Sequence, residues 1–317
     1  MAKLIRLSGT TACGVLEHYD IGEYKGHKHI PWALSNSVYY LYTTKGRFVL
    51  KIHENVSAGK IKYAQKMMGF AKRHGIPVPP TVMTREGKQF ALCNGKYVTI
   101  QKFVAGSASS RLNEATIINA AKVIGKLDKA LLGYDKGRGK IRVEEINLVN
   151  TPQDARVLGF DFSKAKASMR DELRSIDMKK LRQSTIHGDL GGNILYENNR
   201  ISTILDWEDA GKSYIAKDPA VFISHNFVSE TGVMRENIAL FLSVYQKYVK
   251  LNAEEIKALH YFVRHRFLSA VLWITKQLQT RRNRGFLGYE RKLLRAYSAF
   301  SKVPMEEFLS LADHRVY

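Results

Sequence analysis

The chain has 317 residues, of which 45% are hydrophobic and 25% charged, a composition that excludes a disordered chain and allows a sizeable core. No apolar run reaches transmembrane length, the first residues lack a secretory signal, and two cysteines are too few for a disulfide framework. We therefore expect a cytoplasmic protein without a membrane partner. The net charge of +21 favours anionic partners such as nucleotides, phosphorylated substrates or nucleic acid, or else it serves solubility alone.

The first hundred residues predict a small antiparallel sheet with one helix. Residues 38–43 and 47–53 alternate around a Lys45-Gly46 turn, and residues 90–93 and 96–103 flank an Asn94-Gly95 turn. Ser57 is a plausible N-cap for a helix over residues 57–74 with an apolar face. The cluster His27-Lys28-His29 lacks the spacing of a zinc site, so we interpret it as a solvated turn.

A run of small residues from 104 to 110 indicates a linker, and we place a hinge at residues 101–106. It divides a lobe of residues 1–103 from a mostly helical lobe of residues 104–317. The fold class predicted is α+β, with two lobes. Helices are predicted at 113–132, 163–175, 220–229, 235–251, 253–279, 289–301 and 305–313, whereas 133–161 has no clear pattern.

The most informative stretch covers residues 185–208. Short strands at 194–196 and 201–205 predict a hairpin. His187, Asp189 and Asn193 come just before its first strand, and Asp206 and Glu208 follow its second. A hairpin brings its two ends together, so we expect these groups to converge, and carboxylate and amide oxygens can hold Mg²⁺ or accept a hydroxyl proton.

Two other features carry less information when taken alone. Gly211-Lys212-Ser213 resembles the end of a phosphate-binding P-loop. That loop requires a glycine five residues earlier, where this chain has Asp206, so we reject the P-loop. Lys51, inside an apolar strand, is typical of a structural or solvent-facing position when it is taken alone.

Taken together, Lys51, His187-Gly188-Asp189 with Asn193, and Asp206-Trp207-Glu208 occur in a recognisable order. Over residues 8–230 the sequence resembles the superfamily of aminoglycoside phosphotransferases, choline kinases and homoserine kinases. This resemblance implies the protein-kinase-like bilobal fold. It also implies an ATP- and Mg²⁺-dependent kinase, with a nucleotide-binding first lobe and a second lobe that binds a small-molecule hydroxyl substrate.

The resemblance also implies roles for single residues. Asp189 matches the catalytic aspartate, and Asn193 and Asp206 match the magnesium ligands. Glu208 is left open between a second metal, an amine on the substrate and a structural role. The nucleotide would meet Lys51 at its α- and β-phosphates, the turn of Ser35, Asn36 and Ser37, and the hinge residues Gln101 and Phe103.

Three departures from the family pattern affect the site, and one of them is a phosphate-covering turn at residues 34–39 that lacks the kinase glycines. Only three residues separate Asp189 from Asn193, one fewer than usual, and two of the three are glycines that tolerate unusual dihedral angles. The helix over residues 57–74 lacks the glutamate that pairs with the strand lysine, so we expect Gln65, or less directly Glu54, to contact Lys51.

The N-terminal pattern is most similar to the homoserine kinase branch, which implies an amino-alcohol or hydroxy-amino acid acceptor such as homoserine. From residue 214 onward there are sixteen Lys and Arg against nine Asp and Glu, which disfavours polycationic aminoglycosides. Arg264, Arg266 and the cluster of Arg281, Arg282 and Arg284 either bind an anionic group of the substrate or lie on solvated helix faces. The alternative function is a basic protein on a degenerate kinase-like scaffold that binds nucleic acid or an acidic partner.

Overall fold

The computed structural model describes residues 6–31, 33, 35–108, 111–134, 156–157, 159–281 and 287–313. Compact packing divides the chain into two units. The first contains Met1–Gly106 and Ser202–Glu208, and the second contains Ser107–Ile201 and Asp209–Tyr317.

The first unit is built on a six-stranded antiparallel sheet with strand order β1-β2-β3-β6-β4, in which β5 also pairs with β6. Two helices, α1 (Gly9–Leu16) and α2 (Ala58–Arg73), belong to the same unit. The strands are β1 Tyr24–His29, β2 Ser37–Thr43, β3 Gly46–His53, β4 Thr81–Val82, β5 Ala91–Cys93 and β6 Lys96–Lys102.

The alternation in the sequence explains this sheet. In β2 and β3 every second side chain is buried, and Leu41 and Leu50 are fully shielded from solvent. Helix α2 begins where the sequence predicts, because Ser57 Oγ accepts a hydrogen bond from Lys60 N at 3.3 Å. Its predicted apolar face is also confirmed, since Ile61 and Met67 are among its buried residues.

The interpretation of His27-Lys28-His29 as a turn is wrong, because these residues lie in β1 and pair with β2. The strand escaped prediction because its sequence has no apolar alternation, as an edge strand does not require one. Tyr24 Oη and His27 Nδ1 form a hydrogen bond of 2.7 Å on this strand. Helix α1 was not predicted either.

The second unit is mainly helical, as the sequence predicts. Its helices are α3 Glu114–Leu132, α4 Phe162–Arg174, α5 Lys217–Asn226, α6 Arg235–Tyr245, α7 Ala253–Arg281, α8 Leu287–Phe300 and α9 Met305–Asp313. Asn113 caps α3 and Asp161 caps α4 through their side chains. Helix α6 ends six residues earlier than predicted, since residues 246–248 form a turn.

Four short two-stranded ladders complete the described chain. Strands β10 (Ile194–Glu197) and β11 (Arg200–Ile204) form the predicted hairpin, and Asn198 and Asn199 adopt positive φ at its turn. The other three ladders pair β7 (Arg156–Val157) with β8 (Phe160–Asp161), β9 (Gln183–Ile186) with β12 (Gly211–Tyr214), and β13 (Val228–Ser229) with β14 (Gly232–Val233). Gly211-Lys212-Ser213 therefore belongs to a strand.

Some predictions fall outside the described residues. They concern most of the unassigned region 133–161, of which 135–155 and 158 are not described, and the arginine cluster. Arg282 and Arg284 are not described, and neither is the side chain of Arg281. None of the helices in the described ranges is long and apolar enough to cross a membrane.

A close helix approach in the second unit yields a first prediction. A Cβ added at the buried Gly125 of α3 would lie 2.9 Å from Tyr248 Cβ. We therefore expect Gly125→Ala to lower the free energy of unfolding by about 1–3 kcal/mol through overpacking. Denaturant unfolding of the purified variant measures this change.

Gly69 of α2 provides the matched control, because its added Cβ would meet only Arg73 Nη1 at 3.7 Å. Alanine has the better helix propensity, so Gly69→Ala should raise the free energy of unfolding by up to about 1 kcal/mol. Equal gains from both substitutions would contradict the close approach at Gly125.

Candidate active site

Lys51 in β3 forms the centre of a charged group in the first unit. Its Nζ atom donates hydrogen bonds to Asp206 Oδ1 and to Glu208 Oε1, the latter at 2.6 Å. The lysine side chain is 14% exposed, whereas that of Asp206 is 51% exposed. Of the two interpretations made for Lys51 in isolation, the solvent-facing position is therefore wrong.

Two hydrogen bonds hold the segment that carries the two carboxylates. Ile204 N donates to Pro77 O and Trp207 Nε1 donates to Ile204 O, both at 2.9 Å. Between them Asp206 adopts φ +54°, a left-handed conformation that Asp and Asn tolerate better than other side chains. Trp207 is buried, as a core residue should be.

Pairing with two carboxylates determines the charge state of Lys51 and of its neighbour His53. Burial alone would lower the pKa of Lys51, but attraction to Asp206 and Glu208 outweighs it and holds the pKa above its usual range. His53 Nδ1 lies 3.5 Å from Glu208 Oε1, and His53 Nε2 forms a 3.0 Å hydrogen bond with Thr99 Oγ1. Burial, followed by the positive charge of Lys51, lowers the pKa of His53 to about 3, so this imidazole is neutral at pH 7.

The expected partners of Lys51 on and near α2 are engaged elsewhere. Gln65 Oε1 accepts a hydrogen bond from Thr81, and Glu54 Oε1 accepts one from Ser37 Oγ at 2.6 Å. The predicted Gln65 contact with Lys51 is not formed. Glu208 instead gives Lys51 its second carboxylate partner, beside Asp206. Among the three roles that the sequence left open for Glu208, this contact favours the structural one.

The turn that precedes β2 is tied to the end of β3. Asn36 Oδ1 accepts a hydrogen bond from Glu54 N at 3.2 Å, and Ser37 bonds to the same residue. Both side chains are buried, whereas Ser35 is exposed. The turn is thus fixed by Asn36 and Ser37 and presents Ser35 to solvent.

The predicted hinge residues lie at the end of β6. Gln101 Nε2 donates to Met68 Sδ at 3.8 Å, so its side chain faces α2. The Phe103 ring packs under Arg47, whose Cζ atom is 3.3 Å from the ring centroid.

In the second unit, the loop of residues 187–193 is held by Asp218. Its carboxylate accepts hydrogen bonds from His187 N at 2.7 Å and Gly188 N at 2.8 Å. Gly188 adopts φ +87°, and a Cβ there would lie 2.6 Å from Asp209 O. Glycine is therefore required at this position by both conformation and space.

Asp189 is fixed from two sides. Asn193 Nδ2 donates to Asp189 Oδ2 and to Asp189 O, each at 2.9 Å, and Arg266 Nη2 donates to Asp189 Oδ1 at 2.7 Å. The short loop is therefore closed by Asn193 itself. Gly191 and Gly192 lie against His225, since a Cβ on either would come within 3.3–3.5 Å of its ring.

Behind the loop, Asp218 belongs to a buried network whose other members, Asp128 and Tyr245, the sequence did not predict. Asp128 of α3 accepts a 2.7 Å hydrogen bond from Tyr245 Oη and also interacts with Asp218. Burial and then the charge of Asp218 raise the pKa of Asp128 well above its usual range. Burial also raises the pKa of Asp218, while His187 and the backbone donors lower it, so we assign the proton of this carboxyl pair to Asp128. A carboxyl between Ile124 and Leu131 on an apolar helix face was the available signal.

The two arginines of α7 that the sequence left open have different environments. Arg264 is buried, pairs with Glu172 and donates to Tyr297 Oη at 3.2 Å, which makes it part of the core. Arg266 contacts Asp189 and is 37% exposed.

Comparison with known proteins places these features in a family. The model of the phosphotransferase enzyme family matches residues 27–248, which is more than half of the chain. The chain belongs to this family.

A homoserine kinase from Burkholderia pseudomallei is 28% identical over 142 residues, which is 45% of this chain and 43% of that protein. The matched part thus spans less than half the length of this curated relative.

Two solved structures share the fold. A microcompartment-associated aminopropanol kinase has a TM-score of 0.72 at 18% identity, with 98% of this chain and 100% of that chain covered. An amicoumacin kinase in complex with AMP-PNP and Ca²⁺ has the same TM-score at 17% identity, with coverage of 94% and 95%. These matches confirm the predicted fold class, an α+β fold of the protein-kinase-like type.

The network behind the loop yields a second prediction. The folded protein keeps Asp128 protonated, whereas the unfolded chain ionises it above about pH 4, so this residue costs stability as pH rises from there. Asparagine reproduces the donor and acceptor without titrating. Relative to the unsubstituted protein, Asp128→Asn should therefore gain about 1.4 kcal/mol of unfolding free energy for each pH unit between about 4 and the folded-state pKa.

Denaturant unfolding at pH 4.5 and pH 7 measures the gain. Asp128→Leu is the control, because it leaves Tyr245 and Asp218 without their partner and should destabilise the protein at both pH values. An Asp128→Asn variant whose stability follows the same pH dependence as the unsubstituted protein would show that Asp128 is ionised when folded.

Proposed function

We propose that the protein is an ATP-dependent kinase that transfers the γ-phosphoryl group to a hydroxyl of a small amino alcohol or hydroxy-amino acid, such as homoserine. The observation that carries this proposal is the pairing of Lys51 with Asp206. It joins a shielded cation and a half-exposed carboxylate that are 155 residues apart in sequence. Phosphoryl transfer needs both kinds of group, one for the phosphates and one for a metal.

Two residues, one in each unit and each considered by itself, have the donor chemistry that suits a magnesium ion. Asp206 offers a half-exposed carboxylate, and the hydrogen bonds of Asn193 within the described chain use Nδ2, which leaves Oδ1 as a ligand. These are hard oxygen donors of the kind that Mg²⁺ prefers. When bound, Mg²⁺ supplies neutralisation of the negative charge on the nucleotide phosphates.

The remaining roles follow from charge. Lys51 is cationic at any physiological pH and binds the α- and β-phosphates of the nucleotide. Ser35, Asn36 and Ser37 form the turn that covers the phosphates, and backbone groups of Gln101 and Phe103 bind the adenine. Asp189 orients the acceptor hydroxyl and accepts its proton.

Relatives support the acceptor class. The similar curated protein is named a homoserine kinase and the similar solved structure an aminopropanol kinase, so both act on a hydroxyl in a small amine.

Activity of two variants tests the proposal. Asp189→Asn removes the base and Asp206→Asn removes the metal-binding charge, and asparagine also tolerates the left-handed backbone at residue 206. Each should lower kcat by about 10²-fold or more. The measurement is Mg²⁺-dependent ATP consumption with a panel of amino alcohols, hydroxy-amino acids, aminoglycosides and sugars.

Asp171→Asn is the matched control, because Asp171 is an exposed carboxylate whose side chain is 74% accessible and pairs only locally with Arg174. Its activity should equal that of the unsubstituted protein. Turnover that survives both Asp189→Asn and Asp206→Asn would exclude the proposed mechanism.

A further prediction concerns the partner of Lys51. Glu208→Gln keeps a hydrogen-bond acceptor but removes one of the two negative charges that position the lysine. We expect the KM for ATP to rise about tenfold, the equivalent of about 1.4 kcal/mol. Gln65→Ala is the control, because Gln65 is the α2 residue that the sequence predicted to contact Lys51. This substitution should leave the KM for ATP unchanged.

Steady-state kinetics at saturating acceptor measures both values. A larger effect of Gln65→Ala than of Glu208→Gln would show that α2, not Glu208, positions the lysine during turnover.

A further inference from the structure

Arg266 lies directly against the proposed catalytic base. Its Nη2 atom is 2.7 Å from Asp189 Oδ1, while Asn193 occupies the other carboxylate oxygen. The arginine side chain is 37% exposed and that of Asp189 is 27% exposed, so solvent and small molecules reach both.

Packing does not account for this arginine. Arg264, two residues earlier on α7, lies on a different face and is held by Glu172, Ser168 and Tyr297. For Arg266 the acceptor within the described chain is Asp189. A guanidinium has five N–H donors in a planar fork, so a single hydrogen bond leaves capacity for another anion.

A cation bonded to a general base also has a chemical consequence. It occupies Asp189 Oδ1 while Asn193 occupies Oδ2, so each oxygen of the base already accepts a hydrogen bond. The arrangement becomes useful if a second anion draws the guanidinium toward itself as the substrate binds. His225 is a titratable neighbour of both residues, and burial, then Arg266, lowers the pKa of its imidazole. It therefore adds no competing charge at pH 7.

We propose that Arg266 is the specificity-determining residue of the acceptor site and binds a carboxylate on the acceptor, close to the hydroxyl that Asp189 receives. The protein then selects small hydroxy acids, including hydroxy-amino acids, over amino alcohols of the same skeleton. This inference rests on the proposed function and decides between the two acceptor classes that it allows.

Matched acceptors isolate the carboxylate. L-Homoserine and 3-amino-1-propanol differ only by this group, as do L-threonine and 1-amino-2-propanol. The expected result is a kcat/KM at least tenfold higher for the acid of the better pair, the effect of one charge-assisted bidentate contact. In Arg266→Gln the ratio of acid to amine should fall by about 10- to 100-fold, mainly through the KM of the acid.

Arg295→Gln is the control, because Arg295 is an exposed arginine of α8 that pairs with Glu230. Its acid-to-amine ratio should equal that of the unsubstituted protein. A preference for the amino alcohol, or an Arg266→Gln variant that loses activity equally on acid and amine, overturns the inference and leaves Arg266 as a residue that only positions Asp189.

Binding distinguishes a failed inference from a failed function. Titration calorimetry of L-homoserine and 3-amino-1-propanol, without nucleotide, should show tighter binding of the acid that Arg266→Gln abolishes. Equal binding of the acid to both proteins overturns the inference. Absence of ATP turnover with every acceptor, together with Arg266-dependent binding of the acid, overturns the proposed kinase function and retains the carboxylate site.

Discussion

The first unit depends on one constraint, the burial of a lysine ammonium beside a sheet. An unpaired cation in that position would cost several kcal/mol, so the fold must bring negative charge to it. Asp206 and Glu208 provide that charge from a segment more than 150 residues away in sequence. Ile204 N donates a hydrogen bond to Pro77 O, and residues 202–208 belong to the first unit. The same segment therefore supplies the negative charge that pairs with Lys51 and packs as part of the first unit.

In the second unit, the main structural constraint is the short loop of residues 187–193, which is fixed by several contacts. Asp218 holds the backbone at its start, Asn193 closes its end, and Gly188 permits the close approach to Asp209. The protonated Asp128 supports Asp218 from behind. A loop one residue shorter than the family pattern is thus compatible with a defined Asp189 carboxylate, because Asn193 bonds to it directly.

Periodic features could be predicted from the sequence, whereas long-range partners could not. Strands β2, β3 and β6 and helices α2, α3 and α9 follow from alternation, helical spacing and capping residues such as Ser57. The partner of Lys51 was missed because hydrogen bonding between residues 51 and 208 leaves no local pattern. Strand β1 was missed because a polar edge strand has none either. The convergence of the hairpin ends, the lobe boundary, the cytoplasmic location and the nucleic-acid alternative stay predictions.

The neutral His53 has a consequence for how this protein responds to pH. With its pKa near 3, and with the pKa of Lys51 above its usual range, neither residue changes charge between about pH 5 and pH 9. Lys51 and His53 then behave as a fixed electrostatic background in the first unit. For the proposed kinase, any pH dependence of turnover in that interval would therefore come from groups other than Lys51 and His53.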